Sequence, residues 1–250
     1  MSKVYEAILR ARTDQDLARR VERGAKKASL NTEIAAIERL PPLRMEKEMG
    51  RLFHNVAGLL SNSEGGIIQF IGSQKDEGTS TILREFGLFL ATRANKSTLL
   101  VDADRTHLSQ HQALGVHPKI SLQWVMNEAM SLDEAICPVK NSRAFLCRLY
   151  EESSGNSQAS LMVNHGEMWS KLRKGFDFIL IDSSPLAVSD EAFTLCPSTD
   201  GVILVVEAEK TRSSVVANLK ARISQCEGRI LGLVFNKQRY YIPEWIYKRL

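Results

Sequence analysis

Five apolar runs of strand length recur along the chain, each followed by loop residues and set apart from the next by helical stretches. They are Ile67 to Gly72, Ser97 to Val101, Phe176 to Ile181, Gly201 to Val206 and Ile230 to Phe235. Each run is nearly continuous in apolar residues rather than alternating, which means that both faces of each strand have to be covered. Between them, Ile82 to Ala94 carries Ile82, Phe86, Phe89 and Leu90 at helical spacing, and Ser213 to Cys226 is a second helical stretch. This grammar predicts an α/β chain with a doubly wound, mainly parallel sheet flanked by helices. Ligands of such sheets gather at the carboxyl ends of the strands. Gly72 to Thr81, Asp102, Asp104 and Asp182 all fall at such ends.

The first of these ends reads Ser73-Gln74-Lys75-Asp76-Glu77-Gly78-Thr79-Ser80-Thr81 between a strand and a helix. A turn of this kind aims backbone N–H groups at one spot, the helix N-terminus, where phosphate oxygens fit. In a phosphate-binding loop, the residue after the last glycine is a lysine that reaches the β- and γ-phosphates, and the next hydroxyl ligates Mg²⁺. Gly78 and Ser80 keep the turn and the hydroxyl, whereas Thr79 stands in the lysine's place. A nucleotide-bound Mg²⁺ takes one or two protein carboxylates. Asp182 suits that role, and Asp102 or Asp104 is placed to orient an attacking hydroxyl or water as a candidate catalytic group.

On these residues the chain resembles the bacterial tyrosine kinases of polysaccharide assembly, within the wider partition- and Min-type group of P-loop ATPases. Met1 to Ala7 looks like the start of their stand-alone kinase subunits. Val101-Asp102-Ala103-Asp104 resembles the family's second aspartate motif and Ile181-Asp182-Ser183-Ser184-Pro185 its Walker B. Thr199 to Val202 and Lys210-Thr211-Arg212 are similar to its later segments. The resemblance implies a P-loop NTPase-like fold and ATP or ADP bound with Mg²⁺ through Ser80 and Asp182. It also implies an adenine contact at Asn236, oligomerisation through a helix bearing Glu48 and Arg51, and phosphorylation sites at Tyr240, Tyr241 and Tyr247. The implied partner is a membrane polysaccharide co-polymerase, with self-association and no nucleic acid. A DNA-bound partition ATPase is the weaker alternative, and the tyrosines together with Glu48 and Arg51 argue against it.

The departures from the pattern are local. Thr79 replaces the lysine, Gln74 the second lysine of partition-type relatives, Thr106 an arginine, and His54 the last arginine of the oligomerisation helix. Losing one preorganised electrostatic donor costs about 10²–10³ in rate. Backbone N–H groups and Mg²⁺ remain, so the expectation is weak nucleotide binding with impaired phosphotransfer. An active autokinase that uses Lys75 instead is the alternative.

At 250 residues and 44% hydrophobic, the chain can build one large domain with an N-terminal extension, divided at residues 1–44 and 45–250. Residues 1–44 hold ten Lys/Arg against six Asp/Glu, a difference of four that accounts for the whole net charge of +4. Thr13 to Asp16 has capping-box form, so two short helices are expected there, and Pro41-Pro42 marks a linker. No run is long enough to span a bilayer and no signal peptide is evident. The expected location is cytoplasmic, peripheral at the inner face of the cell membrane through a partner. The four cysteines form no Cys-x-x-Cys pair and read as reduced thiols. His107 and His111 lie four apart, the spacing of some helical zinc sites, but no carboxylate pair accompanies them.

Overall fold

The computed structural model describes residues 40–60, 65–105, 107, 109–128, 130–151 and 165–238. The expected extension over residues 1–44 lies almost wholly outside them, as do Tyr240, Tyr241 and Tyr247.

Among the described residues, the chain enters through helix α1 (Glu46–Leu59) and strand β1 (Gly66–Gly72). Helix α2 (Thr79–Thr92), strand β2 (Thr98–Ala103) and two short helices, α3 (Gln110–Leu114) and α4 (Leu122–Asn127), follow. Strands β3 (Cys137–Pro138) and β4 (Ala144–Arg148), helix α5 (His165–Leu172) and strand β5 (Phe178–Ser183) come next. The chain then runs through α6 (Glu191–Leu195), β6 (Gly201–Glu207), α7 (Ser213–Gln225) and β7 (Ile230–Asn236).

The strands form one seven-stranded sheet in the order β3-β4-β2-β5-β1-β6-β7. All neighbours are parallel except the two-residue β3, which pairs antiparallel with β4. The doubly wound expectation is borne out, and the five apolar runs are β1, β2, β5, β6 and β7. Every residue of β1, β2 and β5 is buried, as two covered faces require. Strand β1 shows how the faces divide. Ile68 and Phe70 point into the core shared with Met49 and Val56 of α1 and Phe86 and Leu90 of α2. Ile67 points the other way, toward Trp169 and Leu172 of α5, and Ile71 toward Leu219 and Ile223 of α7.

Two polar side chains inside this apolar frame do structural work. Gln69 is fully buried and donates to Ser183 Oγ (2.8 Å) and to the Ala192 carbonyl (2.7 Å), tying β1 to the end of β5 and to α6. Helix α1 has no side-chain cap of its own. The residues leading into it are held by Glu85 of α2, whose carboxylate accepts from Arg44 N at 2.9 Å and Met45 N at 3.4 Å and so seats the start of α1 against α2. No helix among the described residues is long and apolar enough to cross a membrane.

Candidate nucleotide site

The carboxyl ends of β1, β2 and β5 lie side by side, with Asp102 in register with Asp182. That register brings the loop Ser73 to Thr81 and the three aspartates together. Gly78 takes φ +89° as it leads into α2, and a Cβ there would lie 2.2 Å from Asn236 Nδ2. Only glycine fits both the backbone and the close approach. No acidic residue occupies the first turn of α2 and no side chain caps it. Its positive end is therefore available to an anion.

The loop is held from three sides. Leu186 N and Ala187 N donate to Gly72 O and Ser73 O, both at 3.1 Å. Asn236 donates its amide to Glu77 O at 2.8 Å, and Lys237 Nζ donates to Asp76 O. The Glu77 carboxylate is buried at the base, where it accepts from Ser73 N, Ser73 Oγ (2.6 Å), Gln74 N (2.9 Å) and Thr211 Oγ1 (2.6 Å). Thr79, in the lysine's place, is 9% exposed, and its hydroxyl turns back toward Gly72, where a Cβ would lie 2.6 Å from it. Gln74, Lys75 and Asp76 form the exposed crest, and Thr81 is exposed on the first turn of α2.

The aspartates sit deeper. Asp182 is 1% exposed; its Oδ2 accepts from Gln110 Nε2 at 2.7 Å, while its Oδ1 is buried with no hydrogen-bond partner. Burial pushes its carboxyl up to about 6, against the hydrogen bond from Gln110 and the nearby Ser80 hydroxyl, which favour the charged form. Asp102 is also 1% exposed, and burial together with the charge of Asp182 pushes it up to about 8. Its oxygens accept from Gln110 N (3.2 Å) and Asp104 N (3.3 Å). Asp104 accepts from Ser184 Oγ at 2.8 Å and from His107 N at 3.3 Å. An orphaned, buried carboxylate oxygen beside the Ser80 hydroxyl is a hard-oxygen donor pair that fits Mg²⁺. Those two residues would hold the ion, which would supply charge neutralisation to a bound phosphate.

The loop and the aspartates thus come together at one end of the sheet, while Glu48 and Arg51, expected to serve oligomerisation, lie exposed on α1 with His54. Arg51 and His54 line an open groove with Lys47, Gly50 and Asn55. The histidine spacing has a different outcome from a zinc site. His107 precedes α3, which begins at Gln110, so the two imidazoles do not share a helical face. The His111 ring instead packs on His117, 5.6 Å between centroids. No group of three His, Cys, Asp or Glu among the described residues could hold a metal by itself. Sequence reasoning missed Gln110, which lay in no motif, and it read Glu77 as a nucleotide-binding residue of the loop rather than as the buried acceptor that holds the loop together.

No family model matches the chain. Among curated proteins it is 28% identical over 189 residues to the succinoglycan biosynthesis transport protein ExoP of Rhizobium meliloti, spanning 72% of this chain but only 23% of that protein. It is 26% identical over 203 residues to the tyrosine-protein kinase CpsD of Streptococcus agalactiae, covering 78% of this chain and 86% of the relative. Among solved structures, the chimerical protein CapA2B2 superposes with a TM-score of 0.69 at 18% identity, over 79% of this chain and 86% of that one. The kinase domain of Escherichia coli tyrosine kinase ETK gives 0.67 at 15% identity, over 79% and 78%. These structural likenesses bear on the fold.

Proposed function

We propose that this chain, a relative of the bacterial tyrosine kinases of capsule and exopolysaccharide biosynthesis, is a nucleotide-binding regulatory subunit of an exopolysaccharide synthesis or export complex in which phosphotransfer is weakened. One observation carries the reading. The loop, the open end of α2 and the Ser80 and Asp182 pair are assembled as a phosphate and Mg²⁺ seat, yet Thr79 turns its short side chain away toward Gly72. Binding survives such a change better than transfer, because backbone N–H groups hold the ground state while the missing cation acts on charge developing in the transition state.

The test is calorimetry with ADP and ATP, with and without Mg²⁺. Weak binding is expected, strengthened by Mg²⁺ in wild type and not in Ser80→Ala. No heat at millimolar nucleotide would reduce the loop to a structural remnant. Strong tyrosine phosphorylation of purified wild type, abolished by Lys75→Ala, would establish an active autokinase instead.

Assembly follows from α1. Glu48 and Arg51 are three residues apart on one exposed face, and His54 continues the row in place of an arginine. The reading assigns this face to self-association, completed by a membrane polysaccharide co-polymerase that holds the subunit at the inner face of the membrane. Purified wild type is expected to sediment as a monomer or weak oligomer at micromolar concentration, and Arg51→Glu to remove any association. A stable ring formed by wild type alone would refute this.

A further inference from the structure

Gln110 is fully buried in a five-residue helix, at the point where three parts of the site meet. Its side-chain nitrogen has two hydrogens and uses both, one to Asp182 Oδ2 at 2.7 Å and one to the Ser80 carbonyl at 2.9 Å. Its side-chain oxygen accepts from Arg84 Nη1 at 3.0 Å, and its backbone N–H donates to Asp102 Oδ2 at 3.2 Å. Every donor and the acceptor of the amide are therefore committed, and the direction in which the amide faces is fixed by the guanidinium, which can only donate.

We propose that Gln110 is the positioning residue of the metal seat: it holds one oxygen of Asp182 and the first turn of α2 in a fixed relation, leaving the other oxygen to the ion. The inference rests on the nucleotide-binding reading above. The geometry supports it in two ways. Asp182 Oδ1 is the oxygen left buried and unpartnered, so the amide occupies one lone-pair face and spares the other. The Ser80 carbonyl that shares the amide belongs to the residue whose hydroxyl is the second metal donor, so one side chain sets the distance between both donors. A carboxylate ligand is commonly fixed by such an outer partner, and losing it costs about 10–100-fold in metal affinity.

Two variants and one spectrum test this. Gln110→Leu removes the amide. Gln110→Glu keeps its volume and its contact with Arg84 but replaces both donors with a carboxylate, so only a loss shared with Gln110→Leu is traced to the donors rather than to packing or added charge. In both, the Mg²⁺-dependent gain in ADP affinity is expected to fall about tenfold, while ADP affinity without divalent ion holds. The full gain retained in both would overturn the proposal. Independently of nucleotide, the Gln110 side-chain amide signal in the NMR spectrum is expected to be protected from solvent exchange. Mn²⁺ should broaden it in wild type and leave it sharp in Asp182→Ala. An unprotected amide, or one that Mn²⁺ leaves sharp in wild type, overturns the proposal whatever nucleotide does. Wild type that binds no ADP but passes this spectral test would remove the nucleotide reading and leave the positioning role standing.

Discussion

Thr79→Lys is expected to raise ATP turnover about 10²-fold, the scale on which one preorganised donor acts on charge developing in a transition state. The cations nearest the loop do not supply that charge in the geometry observed. Lys75 lies on the exposed crest. Lys237 is bound to the Asp76 carbonyl and to Glu207 Oε2 (3.2 Å). Arg84 gives its guanidinium to Gln110, on the side of the aspartates. A lysine at position 79 would put a cation on the first turn of α2, beside Gly78 and Ser80. Phosphate release under saturating Mg²⁺ and ATP is the measurement. A variant no faster than wild type would mean that another group already does the lysine's work.

The sheet was legible because its strands are buried on both faces and therefore read as uninterrupted apolar runs. The site was legible to the extent that its parts sit at the ends of those runs. Strand β4 was less so, since Ala144–Arg148 is short, lies near the sheet's end, follows Arg143 and ends on Arg148. Strand β3 is two residues long and contains a proline. No periodicity can announce a strand of that length.

Gln110 was hidden for a different reason. Its helix spans five residues and stops at Gly115 in the left-handed region, too little chain for a helical pattern. Nothing about an isolated glutamine signals burial, and only the register between β2 and β5 brings Asp182 to it. The role of Glu77 shows the same limit. Read along the chain it is one of the loop residues assigned to the nucleotide, yet in the fold it is the buried acceptor that joins the loop to Thr211.

Asp102→Asn is expected to stabilise the protein by on the order of 3 kcal/mol at pH 8 and to lose that advantage as the pH falls toward 4. The sign follows from burial. In the unfolded chain an aspartate titrates near pH 4, whereas in the fold Asp102 is held at about 8 by desolvation and by the neighbouring charge of Asp182. Between those values the folded state binds more protons than the unfolded state, so stability declines as pH rises through the window and is level below it. Asparagine removes that dependence at nearly constant shape. The substitution also turns one of two acceptors into a donor, so either Gln110 N or Asp104 N loses its partner, at about 1–2 kcal/mol. That loss is independent of pH, so the variant gains most at pH 8 and is less stable than wild type by about 1–2 kcal/mol near pH 4. Urea denaturation of wild type and variant across pH 4–8 reads the difference directly. A wild-type stability that rose with pH over this window while the variant stayed level would show Asp102 to be ionised in the fold, stabilised as an anion by Gln110 N and Asp104 N.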